Sequence, residues 1–133
     1  MKIDKELDIL CSEFVRRRAI LRVGGCERCL RPKIDIQKDN GKIFPAWKQL
    51  DWCHLISRNY KSVRWNEDNG VGCCGGCHRY LDNNAKEKVE FIYQTIGEEK
   101  YNLLEAQTRP GNYIDKQVIK IYLKMEIEKL RRD

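Results

Sequence analysis

Apolar positions near the start of the chain repeat at helical spacing. Ile3, Leu7 and Phe14 share one face of a helix predicted over residues 3–18. The run Arg16–Arg18 falls in the last turns of this helix, where cations interact favourably with the helix dipole. Contact with a phosphate is an equal alternative for these arginines. A pair of glycines follows and is expected to break the helix.

In the middle of the chain, apolar residues alternate with polar ones, and sequences typical of turns occur between them. Residues 33–44 predict a β-hairpin around the turn sequence Asp-Asn-Gly. Residues 50–56 have the apolar character of a strand, and residues 66–72 are rich in asparagine and glycine, which is typical of a turn. We therefore expect β structure between helical ends.

Helical spacing returns after Cys77. One helix is predicted from there to about Ile96, with Gly97 as its C-terminal cap. A short helix is predicted next, over residues 98–107. The pattern thus predicts two consecutive helices after the β segment.

The last helix is predicted over residues 112–132, with Asn112 as its N-cap. This helix carries an apolar stripe of Ile114, Val118, Ile121 and Met125, which is widened by Ile119, Tyr122, Leu123 and Leu130. Such a stripe usually faces a hydrophobic core. A surface for a second copy or another partner is the alternative.

Composition limits the possible architecture. The 133 residues suit one domain, which we expect over 1–133 with a core at about 24–96 and flanking helices over 3–18, 98–107 and 112–132. Hydrophobic residues are 41% of the chain and charged residues 35%, so the core is modest. A net charge of +6 and a pI near 9.0 favour a polyanionic partner, although many basic proteins bind no nucleic acid.

The ends and the cysteines bear on the compartment. The first residues are too charged for a signal peptide, and no apolar run approaches the ~20 residues that span a membrane. We therefore expect a cytoplasmic protein with no membrane partner. In that reducing compartment, cysteine pairs bind metal more often than they form disulfides.

Two CxxC pairs are the strongest chemical signal. Cys26 and Cys29 form one pair, and Cys74 and Cys77 form the other. Two such pairs can present four thiolates to one tetrahedral Zn²⁺, and a small, highly charged fold benefits from a structural metal. Cys73 adjoins Cys74 and could compete for its place. Disulfides are the less favoured alternative.

We call Cys26, Cys29, Cys74 and Cys77 together the zinc clip. The two histidines of the chain have definite positions relative to it. His54 ends an apolar strand, Asn69 lies in the following turn, and His78 opens a helix directly after the second pair. This order resembles the HNH, or ββα-metal, nucleases, in which two antiparallel strands and a helix surround a divalent cation. Many members of that superfamily also carry a structural zinc between two CxxC pairs. The resemblance implies a zinc-stapled α+β fold with a ββα-metal core.

Within that superfamily, the chain is most similar to the phage NinG/Rap recombination nucleases. The similarity lies in His54–Arg58, Val63–Asn69, Cys74–Cys77 and Ile96–Leu104. It covers roughly residues 26–108. A phage origin would place the protein in a bacterial host cell.

The resemblance also implies catalytic roles. His54 matches the general base, Asn69 the residue that stabilises the loop, and His78 a ligand of the catalytic cation, with Mg²⁺ or Mn²⁺ as that cation beside the structural Zn²⁺. Many HNH proteins have a metal-binding residue immediately before the base, where this chain has Cys53. Asp51 lies on the same strand face, because side chains alternate along a strand. Its carboxylate suits Mg²⁺ better than a thiol does.

Two arginines could bind the substrate. Arg58 and Arg64 carry guanidinium groups that match phosphate geometry, and a solvated surface is their alternative. Together these features predict a metal-dependent DNA endonuclease that hydrolyses phosphodiester bonds. The NinG/Rap likeness implies branched substrates such as Holliday junctions and D-loops, and cutting two strands favours a homodimer. The alternatives are a noncatalytic zinc module that binds nucleic acid, a nuclease acting on RNA, and an HNH nicking, homing or restriction enzyme.

Overall fold

The computed structural model describes residues 2–132, which form six helices and two small antiparallel sheets. In chain order the elements are α1 (Lys2–Val23), β1 (Ile36–Gln37), β2 (Ile43–Phe44), a short 3-10 helix (Ala46–Gln49), β3 (Asp51–Cys53), α2 (Lys61–Arg64), β4 (Val71–Cys73), α3 (Gly75–Asp82), α4 (Ala85–Ile96), α5 (Glu98–Gln107) and α6 (Lys116–Arg132). This arrangement confirms the predicted α+β class. None of the helices in this part of the chain combines the length and the apolar character needed to cross a bilayer.

The first helix is longer than predicted. It continues past residue 18 because Ala19 is fully buried in the core, and it ends where Gly24 adopts a positive φ of 70°. The N–H of Gly24 donates to the carbonyl of Ile20 at 2.8 Å. Arg16–Arg18 therefore lie inside α1 and not in its last turns, so the interpretation of this run as a C-terminal dipole partner is wrong.

One face of α1 packs against both hydrophobic clusters of the protein. Its first half contributes Leu7, Cys11, Phe14 and Val15 to a cluster with Trp52, Trp65, Leu123 and Ile127. Its second half contributes Ala19 to a cluster with Leu50, Val71, Leu81 and Ile92. A Cβ on Gly72 would lie 2.7 Å from the Cβ of Ala19. The glycine in β4 thus lets the helix lie directly on the strand.

Two antiparallel strands and a helix form the centre of the molecule. β3 pairs with β4, so that Asp51 lies opposite Cys73 and Cys53 opposite Val71. α3 follows β4 after a single residue, Cys74. The strand predicted over 50–56 is shorter than expected, because the chain turns away after residue 53. The predicted hairpin over 33–44 forms only the two-residue pairing of β1 with β2.

Asparagines divide the helix that was predicted to run from Cys77 to Ile96. α3 ends before Asn83, and the side-chain amide of Asn84 donates to the carbonyl of Tyr80 at 2.7 Å. α4 then starts a new axis, so one predicted helix is in fact two. Gly97 does end α4, with φ of 92° and its N–H on the carbonyl of Tyr93, as predicted.

The start of the last helix was misassigned. Asp115 is the cap, because its Oδ1 accepts the N–H groups of Gln117 and Val118 at 3.0 and 3.2 Å. Asn112 instead donates its side-chain amide to the carbonyl of Ala106 in the last turn of α5 and to that of Arg109 in the segment that follows. The helix therefore begins at residue 116 and not at 112.

The buried face of α6 also differs from the predicted stripe. Leu123 and Ile127 are the buried residues, whereas Val118, Ile121 and Met125 are 57–60% exposed. The expectation that Val118, Ile121 and Met125 face the core is wrong, because α6 turns a neighbouring ridge, spaced every four residues, towards α1. Leu123, from the wider part of the predicted stripe, is buried as expected. A partner on the exposed stripe stays a prediction.

Candidate metal centres and catalytic cleft

The two CxxC pairs come together at one point. The sulfurs of Cys26, Cys29, Cys74 and Cys77 all lie within 4.8 Å of one another, and Cys29 and Cys74 are 3.9 Å apart. Sulfurs bound at about 2.3 Å to one tetrahedral Zn²⁺ are separated by about 3.8 Å. The predicted set of four cysteines can therefore hold a metal such as zinc.

Both pairs have the same local structure. The N–H of Cys29 points at the sulfur of Cys26, and the N–H of Cys77 points at the sulfur of Cys74, each at 3.5 Å. Burial opposes ionisation of Cys26, but backbone amides, that of Cys29 foremost, outweigh it and hold its pKa at about 6. A sulfur that ionises readily is a good zinc ligand, and Cys26 meets this condition, whereas burial raises the pKa of Cys77 to about 12. The spacing of the four sulfurs is what fits the metal.

The competing cysteine faces the other way. Cys73 is fully buried in the hydrophobic cluster around β4, and burial raises the pKa of its thiol. Cys74 instead caps the N-terminus of α3, with its sulfur at the clip. The structure therefore assigns this ligand position to Cys74.

A buried glutamate fixes the first pair against the second. The N–H of Gly72 donates to a carboxylate oxygen of Glu27 at 2.7 Å, and the N–H of Glu27 donates to the carbonyl of Gly72 at 2.9 Å. Arg22 lies 3.4 Å from the other carboxylate oxygen. The first CxxC turn is thereby attached to β4, one residue before Cys73.

A second cluster of possible ligands surrounds His78. Its Nδ1 lies 3.1 Å from a carboxylate oxygen of Asp51, and its Nε2 lies 3.2 Å from one of Asp82. The sulfur of Cys53, His78 and Asp82 also offer ligand atoms that are all within 4.8 Å of one another. Burial raises the pKa of Cys53 to about 11, so its thiol keeps its proton near neutral pH. This cluster could hold a second metal ion.

His54 lies beside that cluster in a different environment. Its ring stacks on Trp52, with centroids 3.7 Å apart. Burial, followed by the positive charge of Arg58, lowers the pKa of His54 to about 4. Its Nε2 is buried and has no hydrogen-bond partner within residues 2–132. The imidazole is therefore neutral at physiological pH.

A cleft of about 560 Å³ joins these groups. α1 lines it with Asp8 and Arg16, and the rest of the lining includes Asp51, His54 and His78. The structure thus brings both histidines of the chain, which are 24 positions apart in the sequence, to one cleft. An adjoining hollow of about 380 Å³ shares the two histidines.

Asn69 does not reach the cleft. It is fully buried, its Oδ1 accepts the N–H of Ile56 at 2.7 Å, and its Nδ2 donates to the carbonyls of Ile56 and Val63, each at 3.1 Å. The carbonyl of Asn69 also accepts the indole N–H of Trp52. Asn69 therefore positions the loop that begins with His54 and the ring on which that histidine stacks.

The two arginines that were predicted to bind phosphate differ in whether their side chains are free to do so. Arg58 is exposed and lines both hollows. Arg64 makes a two-pronged ion pair with Asp8, at 3.0 and 2.6 Å, and does not line the cleft. It neutralises an acidic residue of the cleft wall instead of facing a ligand.

Sequence reasoning missed Asp82, and it gave phosphate contact as an alternative for all of Arg16–Arg18 without singling out Arg16. Asp82 follows His78 by four residues on α3, and that spacing places two side chains on the same helix face. The pattern could have identified Asp82 once His78 was chosen. Arg16 could not be chosen from its neighbours Arg17 and Arg18, because the face of α1 that lines the cleft is known only from packing.

The chain matches no protein-family model, and no curated protein or solved structure is significantly similar to it.

Proposed function

We propose that the protein is a metal-dependent endonuclease of the HNH type that hydrolyses phosphodiester bonds in DNA. The observation that carries this proposal is the shared cleft, because a neutral His54 lines the same two hollows as His78, whose ring nitrogens lie 3.1 and 3.2 Å from the carboxylates of Asp51 and Asp82. Asp51 lies on β3, His54 directly follows it, and His78 and Asp82 lie on α3, which follows the paired strand β4. This chain order is the one that the HNH resemblance implies.

The second cluster fits a hard divalent cation. Two cis ligands of octahedral Mg²⁺, each bound at about 2.1 Å, are separated by about 3 Å. His78 lies at nearly that distance from both Asp51 and Asp82. A neutral imidazole has only one N–H, so His78 can satisfy both carboxylates only when it gains a second proton or shares a cation with one of them. We propose Mg²⁺ or Mn²⁺ as that cation.

The bound cation would neutralise charge that develops on the scissile phosphate. His54 supplies the complementary function, because its neutral ring can accept a proton from the attacking water. Stacking on Trp52 limits the orientations of this ring. Asn69 holds the loop so that the histidine keeps its place beside the cluster.

Charge supports a nucleic-acid substrate. The net charge of +6 favours a polyanion, and Arg58 lines the cleft with its side chain exposed. The likeness to NinG/Rap nucleases supports branched DNA, such as a Holliday junction, as the substrate. Cleavage of two strands at a junction would require two copies of the chain, so we include a homodimer in the proposal.

The test is cleavage by zinc-loaded protein freed of other divalent ions. Linear duplex, single-stranded and four-way-junction DNA are incubated with added Mg²⁺ or Mn²⁺ and without either. Leaving the ions out, without a chelator, keeps the cysteine-bound zinc in place. We expect cleavage only with the added ion and fastest on the junction. His54→Ala should lower the rate by at least ~100-fold, the usual contribution of a general base.

Exposed Asn59 lies in the same loop as His54, and Asn59→Ala is the control that should cleave normally. The His54→Ala variant should retain its zinc and its affinity for DNA. Binding without cleavage by the wild-type protein under every metal condition would favour a noncatalytic zinc module. Cleavage of RNA alone would transfer the proposal to another substrate class.

A further inference from the structure

We propose that Arg16, held against Trp47, is a phosphate-binding residue on the α1 wall of the cleft. This inference deepens the proposed function and rests on it. The residue faces the same cleft as Asp51, His54 and His78. It would bind a phosphate of the nucleic-acid backbone beside the one that is cleaved.

The side chain of Arg16 is oriented without an acidic partner. Its Nε donates to the carbonyl of Ser12 at 3.2 Å, and its guanidinium carbon lies 4.7 Å from the centre of the Trp47 ring. Within residues 2–132, no carboxylate lies within ion-pairing distance of Arg16, and its two terminal nitrogens have no hydrogen-bond partner. The Ser12 carbonyl fixes Nε of the guanidinium and the Trp47 ring covers one of its faces. The edge formed by the two terminal nitrogens stays available for a bidentate contact with phosphate.

The two neighbouring arginines are committed elsewhere. Arg17 stacks on the same indole at 4.6 Å, but its Nε pairs with Glu13 at 2.8 Å and it lines a different hollow. Arg18 is buried and donates to the carbonyls of Glu67 and Gly70. Of the three arginines in this run, the cleft receives Arg16.

Two acidic residues line the cleft with Arg16, and of these Asp51 belongs to the proposed cation site while Asp8 is already neutralised. Asp8 is the acidic residue of the same helix that lines the cleft, and Arg64 and the indole N–H of Trp65 bind both of its oxygens. Partial burial lowers the pKa of Arg16, because its charge is incompletely hydrated. An anion that enters the cleft would restore the solvation that the guanidinium has lost.

The test measures binding and not cleavage. A short fluorescent duplex is titrated with zinc-loaded His54→Ala protein, alone and combined with Arg16→Gln or Arg17→Gln, from about 50 to about 200 mM salt. Loss of one phosphate contact should reduce the slope of log affinity against log salt by about one. We expect that change and a several-fold weaker affinity for Arg16→Gln. Arg17→Gln removes the same charge from the same indole and should leave the slope unchanged.

A third variant, Trp47→Leu, distinguishes the charge of Arg16 from the orientation that the indole gives it. Trp47→Leu keeps both arginines, so the slope should persist while affinity falls, and unchanged affinity would overturn the role of the indole. An unchanged slope for Arg16→Gln, an equal change for Arg17→Gln, or no DNA binding by the parent would overturn the inference. A reduced slope alongside inactive wild-type protein would overturn the proposed catalysis and leave the phosphate contact standing.

Discussion

Two residues, Trp52 and Asn69, set the surroundings of His54 and of the loop that follows it. Trp52 covers one face of the imidazole, and burial, followed by the positive charge of Arg58, lowers the pKa of His54 to about 4. Asn69 links the loop after His54 to α2 through three hydrogen bonds of its side chain. A base that is neutral and fixed in orientation before substrate binds needs no reorganisation when the reaction begins.

Replacing Asn69 by alanine should therefore reduce both stability and activity. The change removes the partner of the N–H and of the carbonyl of Ile56 in a partly buried loop, whereas the carbonyl of Val63 keeps the N–H of Asn66. Each buried group left without a partner costs about 1–3 kcal/mol. We expect a loss of about 3 kcal/mol in the free energy of unfolding, measured by urea denaturation of zinc-loaded protein. Asn40→Ala is the control, because Asn40 accepts a similar bond from Lys42 in an exposed turn. Equal effects of the two substitutions would contradict the positioning role of Asn69.

At the scale of elements, the first CxxC turn depends on its attachment to β4. Glu27 pairs with both backbone groups of Gly72, and that contact aligns the turn with Cys74 at the start of α3. The four sulfurs belong to two segments that are far apart in the chain. The contact of Glu27 with Gly72 therefore lowers the conformational entropy that is lost when zinc brings the two segments together.

Glu27→Ala should loosen the zinc clip without removing a ligand. The substitution leaves the N–H of Gly72 buried and unpaired, at a cost of about 1–3 kcal/mol. We expect faster transfer of zinc to a colorimetric chelator and a lower midpoint of thermal unfolding. Glu99→Ala, on the exposed side of α5, should change neither. Zinc release at the wild-type rate from Glu27→Ala would show that the clip forms without this contact.

The ends of helices could be predicted where the conformation of a single residue decides them. Features that depend on packing against other elements could not. Gly24 and Gly97 end helices as expected, because a positive φ is a local property. The division at Asn84 and the cap at Asp115 depended on which of several polar side chains reaches a backbone group. The buried face of α6 depends on where α1 lies, so the apolar pattern of α6 alone could not distinguish Ile121 from Leu123.

At the scale of the whole molecule, the long helix α1 connects the hydrophobic core with the cleft. α1 packs against both hydrophobic clusters and also forms a wall of the cleft. The CxxC pairs, His54, His78 and Asp51 were found from the sequence because each carries a local signal. The availability of Arg16 and the commitment of Arg64 to Asp8 are consequences of helix packing, which residue order does not reveal.

The central claim is that His54 and the cation held by His78 act together in one cleft. The most direct measurement is the Mn²⁺ binding isotherm of zinc-loaded protein, recorded from the EPR signal of free Mn²⁺, with cleavage rates for the same samples. We predict that His54→Ala binds Mn²⁺ like the wild type but does not cleave. His78→Ala should lose more than about tenfold in Mn²⁺ affinity together with cleavage, and Asp39→Asn, in an exposed turn, should lose neither. Unchanged Mn²⁺ affinity in His78→Ala, or normal cleavage by His54→Ala, would contradict the account.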